Sequence, residues 1–195
     1  MKNKLSARER ILQVASDLFY QEGVRAVGID RVIEESGVAK ASFYRNFPSK
    51  DDLIVQYLEE REGLSLKRME EAAQRHPDSP KRQLLAMLES LAERMNQPEY
   101  RGCPFMNVVV EFPDSDHPGH QKAIQSRQEL WEKIEEVTRK CGAKNPRELT
   151  AQLRILCSGA LMVSYVDKSA YKQEDFLRAA RILIEEQMPE KGTGC

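Results

Sequence analysis

Four prolines, Pro80, Pro104, Pro118 and Pro146, each stand directly ahead of an apolar pattern that repeats every three to four residues. A proline in the first turn of a helix gives up no hydrogen bond it would otherwise make, so each marks a helix start. Gly23, Gly37 and Gly142 follow the last apolar residue of a segment, where a left-handed cap costs glycine nothing. No period-two alternation runs between Gly or Asn turns. The chain is therefore expected to be all-α, with about nine helices.

The individual segments carry their own signals. Ser6 with Glu9 forms a capping box ahead of a first helix whose apolar side holds Ile11, Ala15, Leu18 and Phe19. Ile29, Val32 and Ile33 mark a short second helix, and a third runs from about Lys40 to Phe47, where Pro48 stops it. Ser49 and Asp52 cap a long fourth helix that ends before Pro77. The prolines open helices five to eight, the eighth also capped by Asn145 with Glu148, and a ninth spans about Gln173 to Met188. The final "PEKGTGC" is expected to fray.

Composition excludes several classes. With 41% hydrophobic and 31% charged residues over 195, the chain can bury a substantial core and reads as soluble. No stretch approaches the roughly 18 apolar residues of a membrane span, and no apolar signal core follows "MKNKLSARER", so the expected location is the cytoplasm. Cys103, Cys141, Cys157 and Cys195 lack CxxC spacing and are expected to be reduced. Residues 1–50 hold nine cations and six anions, +3 against −4 for the remainder. That sign favours a polyanion at the N-terminal end.

The stretch "GIDRVIEESGVAKASFYRNFPSK", residues 28–50, supplies a use for that charge. Two short helices joined at a glycine are what a helix-turn-helix needs, with one face of the second helix packed and the other left for the major groove. Phe43 and Phe47 can pack, leaving Lys40, Ser42, Tyr44 and Arg45 to meet DNA. The longer run "RERILQVASDLFYQEGVRAVGIDRVIEESGVAKASFYRNFPSKDDLI", residues 8–54, resembles the N-terminal pattern of the TetR family of bacterial transcriptional regulators. Two positions depart from it: Gly28 stands where Ser or Thr is common, and Ile33 where a small alanine is usual.

That resemblance implies a three-helix DNA-binding domain over residues 1–50 and a helical ligand-binding and dimerisation domain over 51–195. It puts Lys40, Ala41, Ser42, Tyr44 and Arg45 against DNA, Tyr44 and Lys50 on phosphates, and Arg8 and Arg31 as further phosphate candidates. Phosphate contacts set register, whereas Lys40, Ser42 and the Ala41 methyl could read base edges. It further implies a repressor that binds double-stranded operator DNA as a dimer. A small molecule in the C-terminal domain would shift helix 4 and spoil the roughly 34 Å spacing of the two recognition helices. Such an effector must in turn bind DNA-bound protein less well.

Helix 8 bears on the dimer. Its second half, "ILCSGALMVSYV", has no polar face, so it must be covered on all sides, and a twin subunit could cover what one chain leaves open. Helices 8 and 9 are the expected homodimer contact. Candidates for the ligand pocket are Met87, Leu91, Met95, Phe105, Met106, Trp131, Met162 and Tyr165, adaptable or aromatic groups that suit an apolar cavity and equally suit a plain core.

Cys103 sits in "GCPFMN", which is similar to the start of helix 6 in a subset of TetR-like regulators. A thiol at a helix N-terminus near Arg101 could sense electrophiles, or it could be a small residue in a turn. Glu111, Asp114, Asp116, His117 and His120 form the one cluster resembling metal ligands, but their spacing fits a turn as readily. No metal and no cofactor is expected. No phosphate-binding glycine loop, GxSxG or HExxH motif points to an enzyme. The remaining rival is a helical dimer that binds small molecules or partners without binding DNA.

Overall fold

The computed structural model describes residues 5–188. The expectations for Lys2, Lys4, Cys195 and the C-terminal "PEKGTGC" lie outside those residues. Among the described residues there are nine helices and no strand: α1 Ala7–Glu22, α2 Ile29–Ser36, α3 Lys40–Asn46, α4 Lys50–Arg75, α5 Pro80–Met95, α6 Pro104–Glu111, α7 Pro118–Lys140, α8 Pro146–Val166 and α9 Gln173–Gln187. All four prolines open a helix as expected, because each occupies a position whose N–H has no partner inside the helix.

The chain separates into two compact units, one built from residues up to Gly63 plus Cys103–Arg127, the other from Leu64–Gly102 plus the residues from Gln128 onward. The first unit is therefore discontinuous. Helix α4 runs from one unit into the other, and so does α7. This outline differs from the division at residue 50, because the side chains that complete the core around α1 to α3 come partly from α4, α6 and α7.

In the first unit, Ser6 Oγ accepts the Glu9 N–H at 3.2 Å while Glu9 accepts the Ser6 N–H at 2.7 Å, so the capping box forms as read. Ser49 and Asp52 do the same for α4, at 3.1 and 3.0 Å. Ile11, Phe19, Val32, Phe43, Phe47, Leu53, Ile54 and Tyr57 are buried, with Phe19 edge-on to Tyr57 at 5.7 Å. The Arg61 guanidinium lies over the rings of Tyr20 and Tyr57, 4.8 and 5.3 Å from their centroids, and donates to the Ser16 carbonyl at 2.9 Å. Burial pushes the Tyr57 phenol well above its ordinary range. Further along α4, one Glu62 oxygen accepts from Lys122 at 2.8 Å and from Ser126 at 3.0 Å.

Gly119 shows why the start of α7 belongs to this unit. A Cβ there would lie 2.8 Å from Ile54 Cγ2, a methyl fixed close to its backbone. Gly119→Ala is expected to cost about 1–3 kcal/mol through overpacking, read as a lowered denaturation midpoint at an unchanged m-value.

In the second unit, α8 packs on α9 and α5, burying Leu84, Leu88, Met95, Leu149, Leu153, Cys157, Leu161, Phe176 and Ile184. Tyr100 Oη donates to the Leu161 carbonyl at 3.2 Å, and the hydroxyls of Thr138 and Thr150 meet at 3.0 Å. The buried residues of α8, Leu149, Leu153, Cys157, Leu161 and Ser164, fall on one stripe, while Ile155 and Val166 on other faces remain 74% and 72% exposed.

The expectation that no segment approaches a membrane span is corrected here: by length and composition alone α8 could cross one, with a mean hydropathy of 1.3 over its most apolar window. An average tolerates the Gln152 and Arg154 that interrupt a strict apolar run. A third of that window is buried in the unit, as for a core helix that carries a second apolar face.

Candidate nucleic-acid interface

Helices α2 and α3 meet at Gly37, whose φ of 62° and ψ of 32° are left-handed and whose N–H bonds the Glu34 carbonyl at 3.2 Å. Glycine is what allows that turn without a steric penalty. Val38 then drops into the core, and α3 buries Phe43 and Phe47 on one side. Its other side presents Lys40, Ala41, Tyr44 and Arg45, all exposed, with Ser42 half-buried between them. Tyr44 is 43% exposed and braced edge-on by Phe43 at 5.3 Å. The α2 N-cap at Gly28 has no side-chain bond, so the hydroxyl absent from the sequence is also absent as a cap.

Several of the expected phosphate ligands have partners already. Lys40 Nζ lies 3.0 Å from Asp30, and that hydrogen bond, with the charge behind it, holds the ammonium above its usual range. Arg31 donates to Glu22 at 2.5 and 2.8 Å and to Glu35 at 2.8 Å, so its guanidinium ties the end of α1 to α2. The same bond holds the Glu22 carboxyl below the usual carboxylate range. Arg8 donates to Gln56 and lies over Phe47, 5.4 Å from the ring centroid.

Lys50 is half-buried, its ammonium 6.0 Å from the Phe19 centroid. Burial lowers its pKa, and the charges of Glu111 and Asp51 partly restore it. These countercharges went unnoticed in the sequence because Asp30, Glu22 and Glu111 lie ten, nine and many more positions from their partners. Only the i,i+4 pair Arg31–Glu35 follows from helical spacing.

The eight pocket candidates do not converge. Phe105 is buried and Met106 half-buried in the first unit. Met95 and Trp131 are buried in the second, with Met87 and Leu91 half-buried on α5. Met162 and Tyr165 are exposed on α8.

Cys103 is buried, 5% exposed, at the N-cap of α6. Of the acidic and histidine cluster, Glu111 accepts from the Arg25 N–H, His120 bonds the Phe112 carbonyl, and His117 Nδ1 accepts the Gly119 N–H at 3.1 Å. Among the described residues no group of three such side chains is arranged to hold a metal.

Comparison with known proteins agrees with this geometry. Residues 11–57 match the family model described as "Bacterial regulatory proteins, tetR family". The chain is 26% identical to the HTH-type transcriptional regulator YjdC of Escherichia coli, covering 89% of this chain and 95% of that protein. It is 24% identical to LmrA, an HTH-type transcriptional regulator of Bacillus subtilis, over 84% and 89%. The structure is similar to that of SCO4454, a TetR-family transcriptional regulator from Streptomyces coelicolor, with a TM-score of 0.86 and 30% identity over 94% and 96% of the two chains. A helix-turn-helix formed at the predicted residues, and relatives alike from end to end, establish that this chain belongs to the TetR family of helix-turn-helix transcriptional regulators.

Proposed function

We propose that the chain is a repressor that binds a two-fold symmetric operator as a homodimer and releases it when a small molecule occupies the C-terminal domain. The observation that carries the reading is the exposed strip Lys40, Ala41, Ser42, Tyr44 and Arg45 on a helix whose opposite side is anchored by buried Phe43 and Phe47. Such a helix can enter a major groove without losing its packing. Tyr44 and Arg45 are the leading contacts. Lys40, Lys50, Arg8 and Arg31 reach phosphates by exchanging their present partners for them.

Dimerisation is supported by the apolar side of α8 and α9, where Ile155, Met162, Val163, Tyr165, Val166 and Ile182 are all exposed. An open groove beside them, lined by Ile155, Gly159, Val163, Tyr171 and Phe176, could seat side chains of a second copy. Met162 and Tyr165 fit this role better than that of ligand contacts. Met87, Leu91, Met95 and Trp131 support an apolar effector. A regulator of this kind works on DNA in the bacterial cytoplasm and catalyses no reaction. Sensing through Cys103 gains no support, since its burial gives a reagent no direct route.

Selection of duplexes from a random pool by the purified chain tests the reading. An enriched palindrome, bound with an affinity that falls steeply as salt rises, is expected. Arg45→Ala should reduce the slope of log K against log salt by about 1 if Arg45 meets a phosphate. Binding of no duplex at low salt would favour the helical dimer that has lost DNA recognition.

A further inference from the structure

We propose that Glu111, the last residue of α6, is a positioning residue for DNA recognition, gripping the α1–α2 turn so that the pose of the helix-turn-helix depends on α6. The inference rests on the DNA-binding role proposed above. Glu111 Oε2 accepts the Arg25 backbone N–H at 2.6 Å, a donor in the turn that no helix satisfies. Its two carboxylate oxygens lie 3.3 and 3.4 Å from where a Cβ on Gly23 would be, and Gly23 has a φ of 94°. The turn is thus shaped to admit a carboxylate. The next residue, Phe112, takes the Arg25 guanidinium over its ring, 5.5 Å from the centroid.

The grip extends to the other end of the reading head. Phe112 stacks on His117 at 4.1 Å, and His117 Nε2 faces Asp51 at 3.4 Å, on the first turn of α4. Helices α2 and α3 are strung between the turn at residues 23–28 and the start of α4. Both anchor points are therefore held by the segment that leaves α6. Lys50, an expected phosphate ligand, is drawn by the charge of Glu111 toward the same place. A displacement of α6 would reach the recognition helix through these contacts.

The test compares Glu111→Gln, which keeps an acceptor at the same reach, with Glu111→Asp, which keeps the charge but falls short by one methylene. Two quantities are read: hydrogen exchange at the Arg25 amide, and affinity for the duplex that the wild-type chain selects from a random pool. Positioning through this bond predicts that Asp accelerates Arg25 exchange and weakens binding by about tenfold each. Gln should stay within about threefold of wild type in both.

Exchange at Arg25 unchanged in the Asp variant, or accelerated exchange with wild-type affinity, overturns the proposal. So does the reverse order, Asp active and Gln impaired, which would mean that charge alone matters. A wild-type chain that selects no duplex defeats the DNA-binding reading itself, an outcome distinct from a Glu111 variant that behaves as wild type.

Discussion

A chain carrying Ile155→Glu and Val166→Glu together is expected to sediment as a monomer and to bind its selected palindrome at least ~100-fold more weakly, because the second half-site is no longer delivered at high effective concentration. Both side chains stand about three-quarters exposed on α8, so neither substitution removes core packing, and the monomer should keep its helical circular dichroism. Two carboxylates facing their own symmetry mates would combine desolvation with like-charge repulsion, and neither cost is repaid by a partner. Analytical ultracentrifugation reads the first effect and fluorescence anisotropy the second. A double variant that remains dimeric would move the interface elsewhere on the chain.

Phe43→Ala is expected to cost about 3–5 kcal/mol, the range for emptying a buried aromatic site. Phe43 is fully buried, in contact with the rings of Tyr44 and Phe47, 5.3 and 6.1 Å between centroids. Its loss removes the anchor on the inner side of α3 and the brace under Tyr44, so recognition should fail even at temperatures where the chain remains folded. Thermal denaturation measures the stability term. DNA binding at 10–15 °C separates it from loss of the reading surface, and wild-type affinity under those conditions would show that the inner side of α3 does not set the outer one.

Most of the fold was legible because its signals are local. Capping at Ser6, Ser49 and Asn145, the prolines at four helix starts and the left-handed turn at Gly37 depend on residues within a few positions of one another, and each forms as read. What escaped was non-local. Nothing near Glu111 in the sequence says that its carboxylate reaches Arg25, 86 positions away. Glu111 and the histidines beyond it resembled metal ligands only because their actual partners, Arg25, Gly119 and Phe112, could not be seen from the spacing. Likewise, a pattern of aromatic and methionine residues on helices does not tell a cavity wall from an outer face, so Tyr165 and Trp131 looked alike although one is exposed and the other buried.

The core that supports α1 to α3 draws on residues 103–127 as well as on α4 up to Gly63. Anyone building a hybrid biosensor by transplanting only the first fifty residues onto a foreign body would leave Leu53, Ile54 and Gly119 behind. A graft that carries the distant segment along with the N-terminal one should express and recognise DNA where the shorter splice precipitates.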